Sequence, residues 1–251
     1  MIQEKHSAAP VFVVITLFPE LFHQGPLQVS LIGKAQKEGR WHLRTVDLRQ
    51  YGVGRHHTVD GTVYGGGAGM VLRADCVHHA LCDAVSSLSN PRIVYVSPRG
   101  VPMSQNLLME WKKASKDMVI LCGRYEGIDQ RVLDHWEVEE VSLGDFVVCG
   151  GETPALLLLE GYCRLLDHVV GNAESLIFES FHNNLLECPQ YTKPQTWLHY
   201  DVPEVLLSGH HEKIYQWRLQ QSEELTQKRR PDLWKKHIQH DRMCGREDFS
   251  E

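Results

Sequence analysis

Short, unbroken apolar runs alternate along the chain with stretches of helical spacing, and that alternation leaves few folds open. Residues 11–17 (Thr16 aside), 93–96 and 118–122 are apolar on successive positions, so they read as strands covered on both faces. Residues 41–48 and 138–142 read as further strands. Between them, Val77, Ala80, Leu81, Ala84, Val85 and Leu88 recur at three and four, which predicts an amphipathic helix over 75–88. Helices are also predicted over 26–38, 104–114 with Ser104 as cap, 126–136, and 153–166. Thr153 and Pro154 supply the cap and first turn of the last. Strands alternating with helices predict an α/β domain on a parallel sheet. After residue 170 the pattern changes. Residues 171–187 read as a linker, 188–251 as a small helical domain, and 1–10 as a loose polar tail.

No apolar run approaches the ~20 residues that span a bilayer, and the polar start lacks a signal-peptide core. A cytoplasmic protein with no membrane partner is expected. The seven cysteines are odd in number, none is spaced C-x-x-C, and they read as reduced thiols. The adjacent histidine pairs 56–57, 78–79 and 210–211 have no ligand spacing around them, so no metal site is expected. The net charge of −6 argues against a general nucleic-acid coat protein but leaves local basic clusters, Lys228-Arg229-Arg230 and Lys235-Lys236.

Two loops follow strands directly. One is Cys122-Gly123-Arg124-Tyr125-Glu126-Gly127-Ile128-Asp129. The other runs from Ser142 through Leu143, Gly144, Asp145, Phe146, Val147, Val148, Cys149, Gly150 and Gly151 to Glu152. Ligands of open α/β sheets bind past the carboxyl ends of strands, so the two loops, taken as following neighbouring strands, point to a small-molecule site. Gly150-Gly151 serves either a close ligand or tight strand–helix packing. The glycine-rich stretch 64–70, in a long loop over 52–70, lacks the strand–helix setting of a dinucleotide fingerprint and has no G-K-[ST]. Arg164, on an otherwise apolar helix, either meets a carboxylate or reaches out to solvent. Glu179, flanked by Phe178 and Phe181, is either a tuned base or an exposed acid.

Several motifs stand in one order: Leu17-Phe18-Pro19-Glu20; Arg55-His56-His57-Thr58-Val59-Asp60; Tyr64 through Met70; Ser97-Pro98; the two loops above; Cys188-Pro189-Gln190-Tyr191-Thr192; Val205-Leu206-Leu207-Ser208-Gly209; and Arg229-Arg230-Pro231. In that order they resemble the bacterial tRNA (guanine-N1)-methyltransferase family, TrmD, of the SPOUT class. The resemblance implies a parallel sheet with a deep trefoil knot over roughly 95–165, and a homodimer with sites shared between subunits. It implies S-adenosylmethionine as cofactor, and as substrate a tRNA methylated at N1 of the guanosine 3′-adjacent to the anticodon. Carried over by position, the cofactor pocket comprises Tyr95, Val96, Pro98, Gly123, Tyr125, Glu126, Gly127, Leu143, Gly144, Asp145, Phe146, Val147, Val148, Gly150 and Gly151. The catalytic pair is Arg164 and, where family members carry aspartate, Glu179. The family also brings a magnesium requirement, for which this sequence shows no oxygen cage. The substitution at Glu179 favours one rival, a non-catalytic RNA-binding protein of the same fold. Another is a SPOUT methyltransferase with a different tRNA or rRNA target.

Overall fold

The computed structural model describes residues 9–170 and 179–243. Residues 1–8 of the expected tail, 171–178 of the expected linker and 244–251 lie outside the described residues. The chain divides into two compact units, Met1–Gly171 and Asn172–Glu251.

In chain order the first unit holds β1 (Val11–Thr16), α1 (Glu20–His23), α2 (Ser30–Lys37), β2 (His42–Asp47), β3 (Asp60–Thr62), β4 (Met70–Leu72), α3 (Ala74–Val85), β5 (Arg92–Pro102), α4 (Gln105–Ala114), β6 (Met118–Cys122), α5 (Gln130–His135), β7 (Glu139–Ser142) and α6 (Glu152–Cys163). Five strands form one sheet in the order β2-β1-β6-β5-β7, and every pairing is parallel. The apolar runs are continuous because both faces are covered. Val13, Ile15, Val119 and Leu121 face a core shared with Ala80, Leu81 and Ala84 of α3 and Val132 and Leu133 of α5. The alternate residue Phe12 meets Trp41 and Tyr162 edge-on, at 5.9 and 5.3 Å between ring centroids.

Four expectations are corrected. The two glycine-punctuated loops do not follow neighbouring strands, because β5 lies between β6 and β7. β5 does not stop before Pro98. It slips register between Val96 and Val101 and resumes with Val101 opposite Val141, so Pro98 sits in an irregular stretch where no ladder N–H is required. The helix expected from residue 126 begins at Gln130. Tyr125 and Gly127 adopt positive φ, 58° and 117°, and residues 126–129 pair with β4 instead: the Glu126 amide donates to Met70 O (2.9 Å), Leu72 to Gly127 O (2.9 Å) and Asp129 to Leu72 O (3.0 Å). Part of the expected loop 52–70 is therefore structured, as the antiparallel hairpin β3–β4. Finally, α6 is capped by Gly151, not Thr153, and ends at Cys163. Pro154 falls in its first turn, where N–H groups have no intrahelical acceptor. Ser104 does cap α4, its Oγ accepting from the Leu107 amide at 3.2 Å.

The second unit contains β8 (Thr196–Trp197), β9 (Tyr200–Asp201), α7 (Glu204–Leu207), α8 (His211–Arg229) and α9 (Pro231–Met243). Residues 179–187 are folded into this unit. The Leu186 amide donates to Thr226 Oγ1 of α8 (2.8 Å), and His237 Nδ1 of α9 lies 2.9 Å from Asn183 O. Among the described residues no helix is long and apolar enough to cross a membrane.

Candidate active site

The strands β6 and β7 end beside the irregular stretch of β5, and these segments with the loops after β6 and β7 line a cavity of about 330 Å³. Its walls come from three segments: residues 95–99 at the irregular stretch of β5, residues 123–128 after β6, and residues 142–151 (apart from Asp145) after β7, with Pro154 of α6. Every residue expected in the cofactor pocket lines this cavity except Asp145, which is exposed.

Close backbone approach explains the glycines. A Cβ on Gly151 would lie 2.7 Å from the Gly123 amide nitrogen and 2.9 Å from Cys122 Cα. The Gly151 amide donates to Gly123 O at 2.8 Å, so the helix start is held directly against the end of β6. Of the alternatives left open by the sequence at Gly150-Gly151, the tight strand–helix packing is present at Gly151, and both glycines line the cavity. A Cβ on Gly123 would strike the Tyr95 hydroxyl at 2.6 Å, which places that phenol across the floor. Burial pushes the Tyr95 phenol above its ordinary range, so it serves as a neutral hydrogen-bonding group. Glu126 is exposed, and its side chain lies across Gly69 at the hairpin tip, where a Cβ would meet Glu126 Cγ at 2.5 Å.

Two arginines on the lining were not assigned to the site from sequence. Arg99 is held on the rim by Glu140, with its Nη2 3.0 Å from each carboxylate oxygen and its Nε 3.2 Å from Oε2; Nη2 also donates to Gln130 Oε1 at 3.2 Å. Arg124 donates from Nε to Glu152 Oε2 at 2.8 Å. The sequence signal for Arg124 was present, a lone cation between a buried strand and a glycine turn, but its buried partner stands 28 residues away. The thiols differ in access. Cys149 on the cavity wall and Cys82 on α3 are exposed, while Cys76, Cys122, Cys163 and Cys188 are buried. Burial raises the Cys122 thiol well above its ordinary range and does the same for Cys163, so both stay protonated and inert. Among the described residues no group of three or more His, Cys, Asp or Glu side chains is arranged to hold a metal ion.

Neither expected catalytic residue is among those that line the cavity. Arg164 is the half-buried C-cap residue of α6, just past the apolar helix rather than within it. α6 lines the cavity as far as Pro154, ten residues earlier. At ~1.5 Å per residue the separation along the axis is roughly 15 Å, beyond the reach of one arginine side chain. Glu179 belongs to the second unit, half-buried at the start of a tight turn in which the His182 amide donates to Glu179 O at 3.2 Å.

Residues 11–236 match the family model described as tRNA (Guanine-1)-methyltransferase TrmD. A tRNA (guanine-N(1)-)-methyltransferase of Ruegeria pomeroyi is 51% identical over 225 residues, covering 89% of this chain and 92% of the relative. One from Cereibacter sphaeroides is 53% identical over 227 residues, 88% of this chain and 90% of the relative. One from Rhodospirillum rubrum is 50% identical over 237 residues, 93% and 98%. With the family model matched across both units and half of all residues shared over nine-tenths of the chain, this protein belongs to the tRNA (guanine-1)-methyltransferase TrmD family.

Proposed function

We propose that the protein is an enzyme that methylates N1 of the guanosine 3′-adjacent to the anticodon of tRNA, using S-adenosylmethionine held in the cavity at the ends of β6 and β7 and the irregular stretch of β5. The observation that carries this reading is the coincidence of family membership over 11–236 with a single cavity built from the family's pocket motifs. The volume, about 330 Å³, lies within the ~300–1,000 Å³ of small-molecule sites. The donor set also fits: backbone groups at Gly123, Gly144 and Gly150 for the adenosine polar atoms, apolar walls from Val96, Leu143 and Pro154, and the Glu126 carboxylate for ribose hydroxyls or a sulfonium. The cofactor, when bound, supplies an electrophilic methyl group.

Guanine N1 carries a proton at neutral pH, so its attack requires a base. In this reading Glu179 removes that proton, which contributes ~10²–10⁴-fold. As the proton leaves, negative charge grows on O6, and the Arg164 guanidinium stabilises it. The ~15 Å along α6 between Arg164 and the cavity of its own chain supports a homodimer in which a second copy brings Arg164 to the donor site. The chain is further read as knotted. After the edge strand β7 it returns across β5, so that Gly151 bonds to Gly123 beyond β6 and α6 packs on β6 and α4. Residues 188–251 bind the tRNA, and the protein works in the cytoplasm.

Methyl transfer to an unmodified tRNA transcript tests the function. Transfer is expected when guanosine follows the anticodon and not when adenosine replaces it; equal transfer to both would overturn the assignment. The cofactor site has its own test in the thiols of Cys149 and Cys82, both exposed. S-adenosylmethionine is expected to slow alkylation of Cys149 by iodoacetamide while leaving Cys82 unaffected, as followed by peptide mass spectrometry. Unchanged labelling of Cys149 at saturating cofactor would place the cofactor elsewhere.

A further inference from the structure

A buried polar network joins the cavity wall to the end of β1. Glu152 is 1% exposed and Thr16 fully buried. The Thr16 hydroxyl donates to Glu152 Oε1 at 3.0 Å, and Thr16 Oγ1 in turn accepts from the Phe18 amide at 3.0 Å. Glu152 Oε2 accepts from Arg124 Nε at 2.8 Å. The Arg124 guanidinium then runs flat over the chain at Gly150, where a Cβ would lie 2.3 Å from Nε, and its Nη1 donates to Cys149 O at 3.4 Å. Its other face covers the Phe18 ring at 4.5 Å. One side chain thus grips both loops that form the cavity: it belongs to the loop after β6 and holds the backbone of the loop after β7.

We infer that Arg124, acting through Glu152, is a positioning residue that sets the spacing between the two cavity loops and so governs affinity for the cofactor. It is not a catalytic residue, because its charge is committed to Glu152. A carboxylate sequestered from water is tolerated only when paired and hydrogen-bonded, which Thr16 and Arg124 together achieve. Arginine suits the task and lysine does not, because only a planar fork reaches Glu152 and Cys149 at once while lying against Gly150 and Phe18. Sites need such supporting contacts to hold their geometry.

The inference rests on the reading of the cavity as the cofactor site, and the test separates the two. Binding of S-adenosylhomocysteine and of tRNA is measured by calorimetry for the wild type, Arg124→Met and Arg124→Lys, well below each melting temperature. In Arg124→Met the cofactor-product dissociation constant is expected to rise at least tenfold, in Arg124→Lys several-fold, with tRNA affinity unchanged in both. Should Arg124→Met fail to fold, Arg124→Lys carries the comparison. A variant that melts earlier yet binds S-adenosylhomocysteine like the wild type would reduce the pair to plain structural support and overturn the inference. Failure of the wild type itself to bind would instead remove the cofactor reading, and this inference with it.

Discussion

Replacing Glu179 with glutamine is expected to lower methyl transfer by ~10²–10⁴-fold, the usual contribution of a positioned general base, while cofactor binding survives. The amide keeps the size and hydrogen-bonding shape of the carboxylate but cannot take the N1 proton. The main chain around it is well held, with Phe181 N donating to Leu185 O at 2.6 Å and the following residues tied to α8 and α9. Loss of the charge should therefore not unfold the turn. Glu179→Asp keeps a carboxylate one methylene shorter, the residue that the family resemblance implies here, and measurable turnover is expected with it. Single-turnover rates with saturating cofactor and tRNA check both variants. Full turnover in Glu179→Gln would transfer the base role to another acid, with Asp145 the first candidate.

The second large effect is expected at Gly151. Its backbone has an ordinary helical conformation, φ −78° and ψ −8°, so alanine is excluded by space and not by dihedral strain. The atoms a Cβ would strike, Gly123 N at 2.7 Å and Cys122 Cα at 2.9 Å, are main chain at the end of the central strand β6, and they cannot rotate aside. Gly151→Ala must push the start of α6 away and stretch the Gly151–Gly123 hydrogen bond. Overpacking of this kind costs ~1–3 kcal/mol, read as a fall in melting temperature of roughly 2–4 °C per kcal/mol for a chain of this size. Because Gly123, Gly150 and Gly151 also line the cavity, cofactor affinity should fall together with stability. Gly150→Ala is expected to act through Arg124: its Cβ meets that side chain, and displacing it weakens the pairing of the buried Glu152, so cofactor binding and melting temperature fall together. Equal melting temperatures and affinities for wild type and Gly151→Ala would mean that α6 and β6 are not held in direct contact.

The sheet was legible in the sequence because its strands are covered on both faces, and residues such as Phe12, Val13, Val14 and Ile15 are therefore all apolar. Strand order was not legible. Nothing local in residues 118–122 or 138–142 says that β5 lies between them, because that depends on where the connecting helices cross. The irregularity in β5 was missed because Pro98 and Gly100 punctuate most chains as stops, whereas here the edge partner β7 lets the strand resume at Val101. The pairing of β4 with residues 126–129 was hidden for a similar reason: Glu126 through Trp136 has helical spacing, but Tyr125 and Gly127 turn left-handed and free the segment for Met70 and Leu72. The cavity residues were found by resemblance, and the glycines among them also by position after a strand. Arg124, quoted in the loop, was assigned no role, since its partner Glu152 is 28 residues away and Glu152 in turn meets Thr16 only after folding brings positions 136 residues apart together. Arg164 was expected within an apolar helix. The helix stops one residue short of it, which makes its distance from the cavity a matter of helix length.

The most direct test of the whole account is the chemical position of the transferred methyl group. An unmodified tRNA transcript with guanosine after the anticodon is incubated with the protein and isotopically labelled S-adenosylmethionine, then digested to nucleosides and resolved by mass spectrometry. The account predicts label in 1-methylguanosine alone, at that single position. Label on a ribose oxygen, on another base, or nowhere in the tRNA despite cofactor binding would contradict it.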